Sequence, residues 1–518
     1  MIANLHMAFI SRFIFTAFLC GFALHAADQP QWGSAWTRNM VSDEKGLPDS
    51  FDPETGRNIL WIAPLGTHSH ATPIVAGGRV YVGTNNARPR DPQQTGDRGV
   101  LLCLDEKDGH LLWQLVVPKR EDDKYFDWPE EGICSPVTVE GDRAYVVTNR
   151  HEVVCLDVAG MANGNDGPFK DEARHRVPHA APPPTFQPIL ADASSAQTES
   201  GPRDADILWL FDMPAEAGIW PHDGAHSSII VHGDFLYVNT GTGVDNSHKV
   251  IRTPDAPSLI VVEKKTGRFV AREREGIAPN IFHSTWSSPS MASVGGEELI
   301  FFCSGDGIVR AFEPLRASPT AGEVARLKQR WTFDPDPNSP KDDPHRFLNN
   351  RQQGPSNIYA MPVVCGERLL IAGGGDVFWG KNDAWLKCID AAGKGEVWSY
   401  PLDKHTLTTP VCFDGLVFAA DTSRHIHCVE FATGKPVWVQ DTKGDFWASP
   451  LIADGKLYLG SRKGDFWVMS ASREKKVLSA IDLKRPISAT ATAVNGVLYV
   501  ATMEELYAIK DGAQFSRQ

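Results

Sequence analysis

Two histidine pairs stand out in this 518-residue chain as residues whose type and spacing could do chemistry. His222 and His226 lie four apart on a glycine-containing stretch, and His425 and His427 alternate on an apolar run with Asp421 close by. Either pair offers two imidazoles to a transition metal. Neither brings a clear third and fourth ligand in its own stretch. Asp223 and Asp421 are carboxylates of the kind that divide acid and base work in glycoside chemistry. A second group suits binding: His70, Trp220, Trp286, Tyr359 and Trp447 offer flat faces, whereas Asn350, Arg351, Arg462 and Lys463 offer hydrogen bonds and positive charge to an anion. The chain has no Cys-Cys and no Cys-x-x-Cys-His, so it has no attachment motif for c-type haem.

Residues this scattered need a scaffold to gather them, and the chain builds one by repetition. The clearest unit is LTTPVCFDGLVFAADTSRHIHCVEFATGKPVW, Leu407 to Trp438. Its apolar runs and turn residues predict four short strands, a sheet apolar on both faces that must stack on copies of itself. Seven further copies begin at Thr72-Pro73, Ser135-Pro136, Ser227-Ser228, Ser288-Pro289, Met361-Pro362, Ser449-Pro450 and Thr490-Ala491, and fourth strands carry Trp113, Trp209, Trp331, Trp398 and Trp438. A period of about forty residues with four strands per unit predicts an all-β fold, an eight-bladed β-propeller of four-stranded antiparallel blades. The first Gly-tryptophan element, Gly56 to Trp61, precedes any first strand, and the last copy stops after a third strand at Leu506 to Ile509. Asn58 to Ile62 is therefore expected to complete the last blade and close the ring.

The stretches LDEKDGHLLW (Leu104 to Trp113), SPVTVEGDRAYVVT (Ser135 to Thr148) and SPLIADGKLYLGS (Ser449 to Ser461) resemble the PQQ-type propeller repeat, over roughly residues 50 to 510. The resemblance extends to quinoprotein alcohol dehydrogenases, which hold pyrroloquinoline quinone (PQQ) and calcium, and to the propeller lipoprotein of the outer-membrane barrel assembly machinery, a non-catalytic scaffold. It implies the fold far more firmly than any activity.

Residues 1–26 read as a secretory signal peptide, with Arg12 before the apolar Phe13 to Leu24 and small residues at Ala26-Ala27, so an exported protein, periplasmic or extracellular, is expected. Residues 27–57 then form a lead-in, 58–510 the propeller and 511–518 a tail. Residues 161–204, rich in Pro, Ala and Ser, form a flexible insertion in the second blade, and Asp334 to Ser356 a candidate lid. No later stretch predicts a transmembrane segment, and a formal net charge of −13 argues against nucleic acid. Cys103, Cys155, Cys388 and Cys428 occupy one slot in four repeats and read as buried thiols rather than disulfides.

In a propeller the connections between blades and the loops between second and third strands share a face. That face collects the binding candidates together with Asp223, His283, Asp376 and Trp379. The entrance of each first strand is occupied in turn by His70, Ile133, Ala225, Trp286, Tyr359, Leu407, Trp447 and Ser488, so three aromatics and a histidine ring one funnel, as a binding site or as an apolar seal. Three functions fit: an exported scaffold binding a small molecule, carbohydrate or envelope protein; a quinoprotein dehydrogenase using PQQ and calcium; or a carbohydrate-active enzyme. The first is the expectation carried forward.

Overall fold

The computed structural model describes residues 28–120, 126–177 and 200–516; the expected signal peptide lies outside them. Eight sheets are present among the described residues. Blade 1 begins with Ile74–Ala76 and ends with Leu111–Pro118, and blades 2 to 7 repeat that meander from Thr138–Glu140, Ile230–His232, Ser290–Val294, Val363–Cys365, Val411–Phe413 and Leu451–Ala453. Blade 8 takes its three inner strands from the C-terminal end, Thr492–Val494 through Glu505–Gln514, and its outer strand, Arg57–Pro64, from the N-terminal end. Trp61 opposes Ala508 there and Ile62 opposes Tyr507. The closing strand is longer than expected, and its partner continues beyond residue 510 so that Arg57 pairs with Gln514.

The repeated residues join one blade to the next. The indole N–H of Trp61, Trp113, Trp209, Trp398 and Trp438 donates to the carbonyl of Glu106, Val158, Lys264, Phe431 and Ser472 respectively, at 2.8–3.1 Å. The recurrent turn glycine is the floor on which such an indole rests. A Cβ on Gly434, whose φ is +69°, would stand 2.6 Å from the Trp398 ring. Gly434→Ala should therefore cost the left-handed strain of about 1–2 kcal/mol plus an overpacking penalty of about 1–3 kcal/mol. Gly415→Ala, with φ +73° and nothing within 4 Å, should cost the strain alone; equal losses in chemical denaturation would contradict the docking. The four slot cysteines each pair across the strands with a repeat tryptophan, Cys103 with Trp113 through Cys428 with Trp438, and are buried free thiols. Cys365 and Cys412, outside that slot, are only half-buried.

Around the channel the residue opening each first strand locks neighbouring blades. The hydroxyls of Ser288, Thr409, Ser449, Thr490 and Thr72 accept from the amides of Ser228, Met361, Thr409, Ser449 and Thr490, at 2.8–3.2 Å. That is why Ser or Thr begins nearly every repeat.

The lead-in does more than reach the closing strand: residues 29–49 run around the channel and touch all eight blades. Backbone carbonyls of Gln29, Pro30, Trp36, Thr37 and Met40 accept from the amides of Val75, Val139, Met291, Val364 and Ile452, in blades 1, 2, 4, 5 and 7. Asn39 bonds both backbone groups of Cys412 in blade 6, and Glu44 receives the amides of Asn495 and Gly496 in blade 8. Arg38 is fully buried and donates to the carbonyls of Pro289, Trp32 and Ser228 and to the Ser228 hydroxyl, at 2.7–3.1 Å, tying blade 3 to blade 4. The channel is thus floored by the N-terminal segment.

The insertion differs from the expected unstructured excursion in its described part. It contains a short helix, Glu172–His175, whose buried His175 meets Glu152 at 3.0 Å, with Arg150 at 3.4 Å on the same carboxylate. Residues 178–199 lie outside the described residues.

Candidate functional site

Flooring the channel turns it into a blind funnel of about 630 Å³, with Trp32 at its base. Of the eight strand entrances, six line it (His70, Trp286, Tyr359, Leu407, Trp447 and Ser488), while Ile133 and Ala225 are buried in the core. The strand pleat aims these six at the axis, and longer loops add aromatic walls: Phe378 and Trp379 from blade 5, Trp128 from the connection into blade 2. Trp286 and Tyr359 meet at 4.6 Å between centroids with their planes tilted by 34°, and Phe378 meets Trp447 edge-on at 6.4 Å. The entrance aromatics line the cavity above the floor.

The funnel is chemically two-sided. On one wall His70 pairs with Glu131 at 2.9 Å, with His226 edge-on at 6.5 Å. Burial would raise the Glu131 carboxyl, but His70 outweighs it and holds the group down at about 2. The guanidinium of Arg462 lies 4.5 Å over the Trp447 ring and donates to the Ser488 hydroxyl at 2.6 Å.

A second wall is built from three histidines. The short run Gly241 to Val244 is bridged to Pro221 on one side and Ser284 on the other, which sets His222 and His283 side by side. Gly243 makes this approach feasible, since a Cβ there would meet the His283 carbonyl at 2.5 Å and the His222 Cβ at 2.9 Å. His248 enters from the same blade-3 loop. The ring centroids lie 4.7 Å (His222 to His283), 4.9 Å (His222 to His248) and 5.4 Å (His248 to His283) apart. Asp223 spans two of them, 3.5 Å from Nε2 of His222 and 3.5 Å from Nε2 of His283. Behind the rings, His222 Nδ1 bonds the Val244 carbonyl at 2.7 Å and His283 Nδ1 bonds Asp376 at 3.0 Å. Asp376 also accepts from the Tyr359 hydroxyl and from the amides of Phe378 and Trp379. Burial drives His222 down to about 3. It pushes His283 the same way, but the carboxylates of Asp376 and Asp223 prevail and raise it to about 9.

The other residues singled out in the sequence fall elsewhere. His226 does not join His222 but meets the rings of His70 and Trp286. Asp421 and His427 form a buried pair at 3.1 Å within blade 6, with Tyr400 on the second His427 nitrogen and Asp403 on His425. Asp421 therefore shares no cavity with Asp223, and the two carboxylates make no glycosidase pair. Trp220 packs edge-on against Phe126 under the Arg252 guanidinium, outside the funnel. Arg351 donates to the carbonyls of Phe378 and Gly380 and so props the loop that carries the aromatic wall. Asn350 caps a turn by accepting from the amides of Gln352 and Gln353, and Lys463 is exposed beside Gly444. His248 had no repeat signal, for it sits at φ +58° in a loop peculiar to blade 3. His283, Asp223 and Asp376 belonged to the predicted loop face, but nothing local joined them.

Calcium binds six to eight oxygens, whereas this wall offers imidazoles and the funnel lining includes only two carboxylates, Glu131 already paired with His70. These residues do not fit a calcium-held PQQ.

The family model described as outer membrane protein assembly factor BamB matches residues 37–270 and 382–477. No curated protein matches the chain. Among solved structures, BamB from Moraxella catarrhalis is 12% identical with a TM-score of 0.50, over 88% of this chain and 98% of that one. A europium-containing methanol dehydrogenase is 11% identical with a TM-score of 0.56, over 92% and 89%. The computationally designed Ika8 protein is 9% identical with a TM-score of 0.50, over 87% and 99%. At these identities the likeness is one of fold.

Proposed function

The chain belongs to the PQQ-like β-propeller family whose model bears the BamB description, and from that premise we propose that it is an exported binding propeller whose funnel takes up one small ligand with a flat or sugar-like face and an anionic group. The observation that carries this reading is the blind cavity of about 630 Å³ walled by Trp286, Tyr359, Phe378, Trp379 and Trp447, a size and lining suited to a small molecule. Trp447 offers a stacking face, and Arg462, held over it and anchored on Ser488, offers the countercharge. Apolar contact selects the flat face and the guanidinium orients the anion.

Interaction with an envelope protein has less to rest on. Leu60, Val397, Val439 and Val477 are exposed on the outer strands of blades 8, 5, 6 and 7, one on each rim, and single apolar residues are ordinary on any surface. Export rests on the residue pattern of 1–26 and on the family.

Calorimetry against a panel of uronic acids, oligosaccharides and aromatic carboxylates tests the binding reading. Trp447→Ala should weaken the ligand by about 1 kcal/mol and Arg462→Ala by about 1.5–3 kcal/mol, with the melting temperature nearly unchanged because Trp447 lines the cavity and Arg462 lies over its ring. Binding that both variants leave intact would remove the funnel as the site. A fall in stability of about 3–5 kcal/mol for Trp447→Ala, with no effect on any ligand, would make that ring a core residue instead.

A further inference from the structure

We propose that His222, His248 and His283 bind one divalent transition-metal ion of the zinc class on the funnel wall, with an open coordination position facing the cavity. One ring nitrogen from each histidine falls in a group whose members all lie within 4.8 Å of one another. A tetrahedral zinc ion with bonds of about 2.0–2.1 Å needs nitrogens a little over 3 Å apart, so modest side-chain rotations close the set. The arrangement behind the rings is what a metal-binding histidine requires. The Val244 carbonyl and the Asp376 carboxylate hold Nδ1 of His222 and His283, which leaves Nε2 of each ring as the ligating atom. Asp376 is in turn fixed by Tyr359 and two backbone amides. His283 Nε2 is buried and has no hydrogen-bond partner; its nearest carboxylate oxygen, on Asp223, is 3.5 Å away.

The donor type decides the ion. Three imidazoles suit zinc, copper, nickel or cobalt and disfavour calcium or magnesium. Asp223 places a negative charge beside two of the rings without belonging to the tight group. Asp223, His248 and His283 all line the cavity, so the open position faces the same space as Trp286 and Trp379. Three protein ligands with an open position form the pattern of a site that binds an exogenous oxygen. On the binding reading above, that oxygen belongs to the ligand, whose anionic group goes to Arg462; the metal site itself does not depend on that reading. The other group of comparable composition, Asp403, Asp421, His425 and His427 in blade 6, is different: both nitrogens of His427 are already taken, by Tyr400 and Asp421.

The test uses the full chain stripped of metal and titrated with Zn²⁺ and Co²⁺ alone. Expected results are one ion per chain by elemental analysis and a visible Co²⁺ absorption of low-symmetry nitrogen coordination, both lost in His283→Ala and in His248→Ala. Asp376→Asn should weaken Zn²⁺ about 10- to 100-fold, and His425→Ala should change nothing. Near-UV circular dichroism checks that each variant is folded; should His283→Ala not fold, His248→Ala, a half-exposed loop residue, decides. No stoichiometric metal in the parent chain, unchanged affinity in His248→Ala, or loss of the ion in His425→Ala would each overturn the proposal. Metal bound as expected while no ligand binds the loaded protein would overturn the binding reading and leave the metal site standing.

Discussion

Deleting Asp28 to Gly46 while keeping the closing strand Arg57–Pro64 is expected to destabilise the protein by more than about 5 kcal/mol, enough to leave it largely unfolded or aggregated. The segment supplies backbone carbonyls to Val75, Val139, Met291, Val364 and Ile452, and its removal strands those amides at the inner ends of five first strands. Losing a bonding partner for a buried donor costs about 1–3 kcal/mol. The deletion also takes away Trp32 and Met40, 4% and 1% exposed, which together contribute roughly 3–6 kcal/mol of burial. The entropy released by omitting the segment offsets part of this, so the expected figure is well below the gross sum. Chemical denaturation with analytical ultracentrifugation reads the result. A monomer that melts like the parent would mean the eight blades hold their ring without a floor.

Arg38→Ala is expected to show the second-largest loss, about 3–5 kcal/mol. This guanidinium is 0% exposed and bonds three carbonyls and a hydroxyl. Burial depresses it to about 9, the signature of a charge held by neutral dipoles. Removing it leaves a cavity between blades 3 and 4 and unpairs the carbonyls of Trp32, Ser228 and Pro289. Arg38→Lys keeps the charge but lacks the planar fork that reaches two blades at once, so it should lie between the parent and Arg38→Ala. If Lys were as stable as Arg, charge alone would be sufficient; if Ala were as stable, the floor would be held by its backbone only.

Both effects fall on a segment that has no repeat pattern, and this marks where the sequence stops being informative. What the sequence determined by itself was periodic: eight copies, four strands each, the Ser/Thr at nearly every strand start, the tryptophan near the end of most copies, and closure through Trp61. These features recur because they perform the same local task wherever they occur, whether an interblade hydroxyl bond such as Thr409 to Ser449 or an indole resting on a glycine such as Gly434. Six of eight predicted entrance positions line the funnel for the same reason, since strand register repeats with the blade.

The tertiary structure alone decided the rest, because the remaining contacts are made once and far apart in the chain. His222, His248 and His283 span three separate loops, and Asp376, which orients His283, is 93 residues further on. Spacing therefore suggested the wrong partner, pairing His222 with His226, whose ring meets His70 and Trp286 instead, beyond the turn at Asp223 (φ +64°) and Gly224 (φ +109°). The floor escaped detection likewise: residues 29–49 bond five blades through single backbone groups and the others through Arg38, Asn39 and Glu44, each used once and in no repeating pattern. A ring closed by repeats shows in the order of residues, whereas what lines and blocks its centre depends on loops that meet only after the ring has closed.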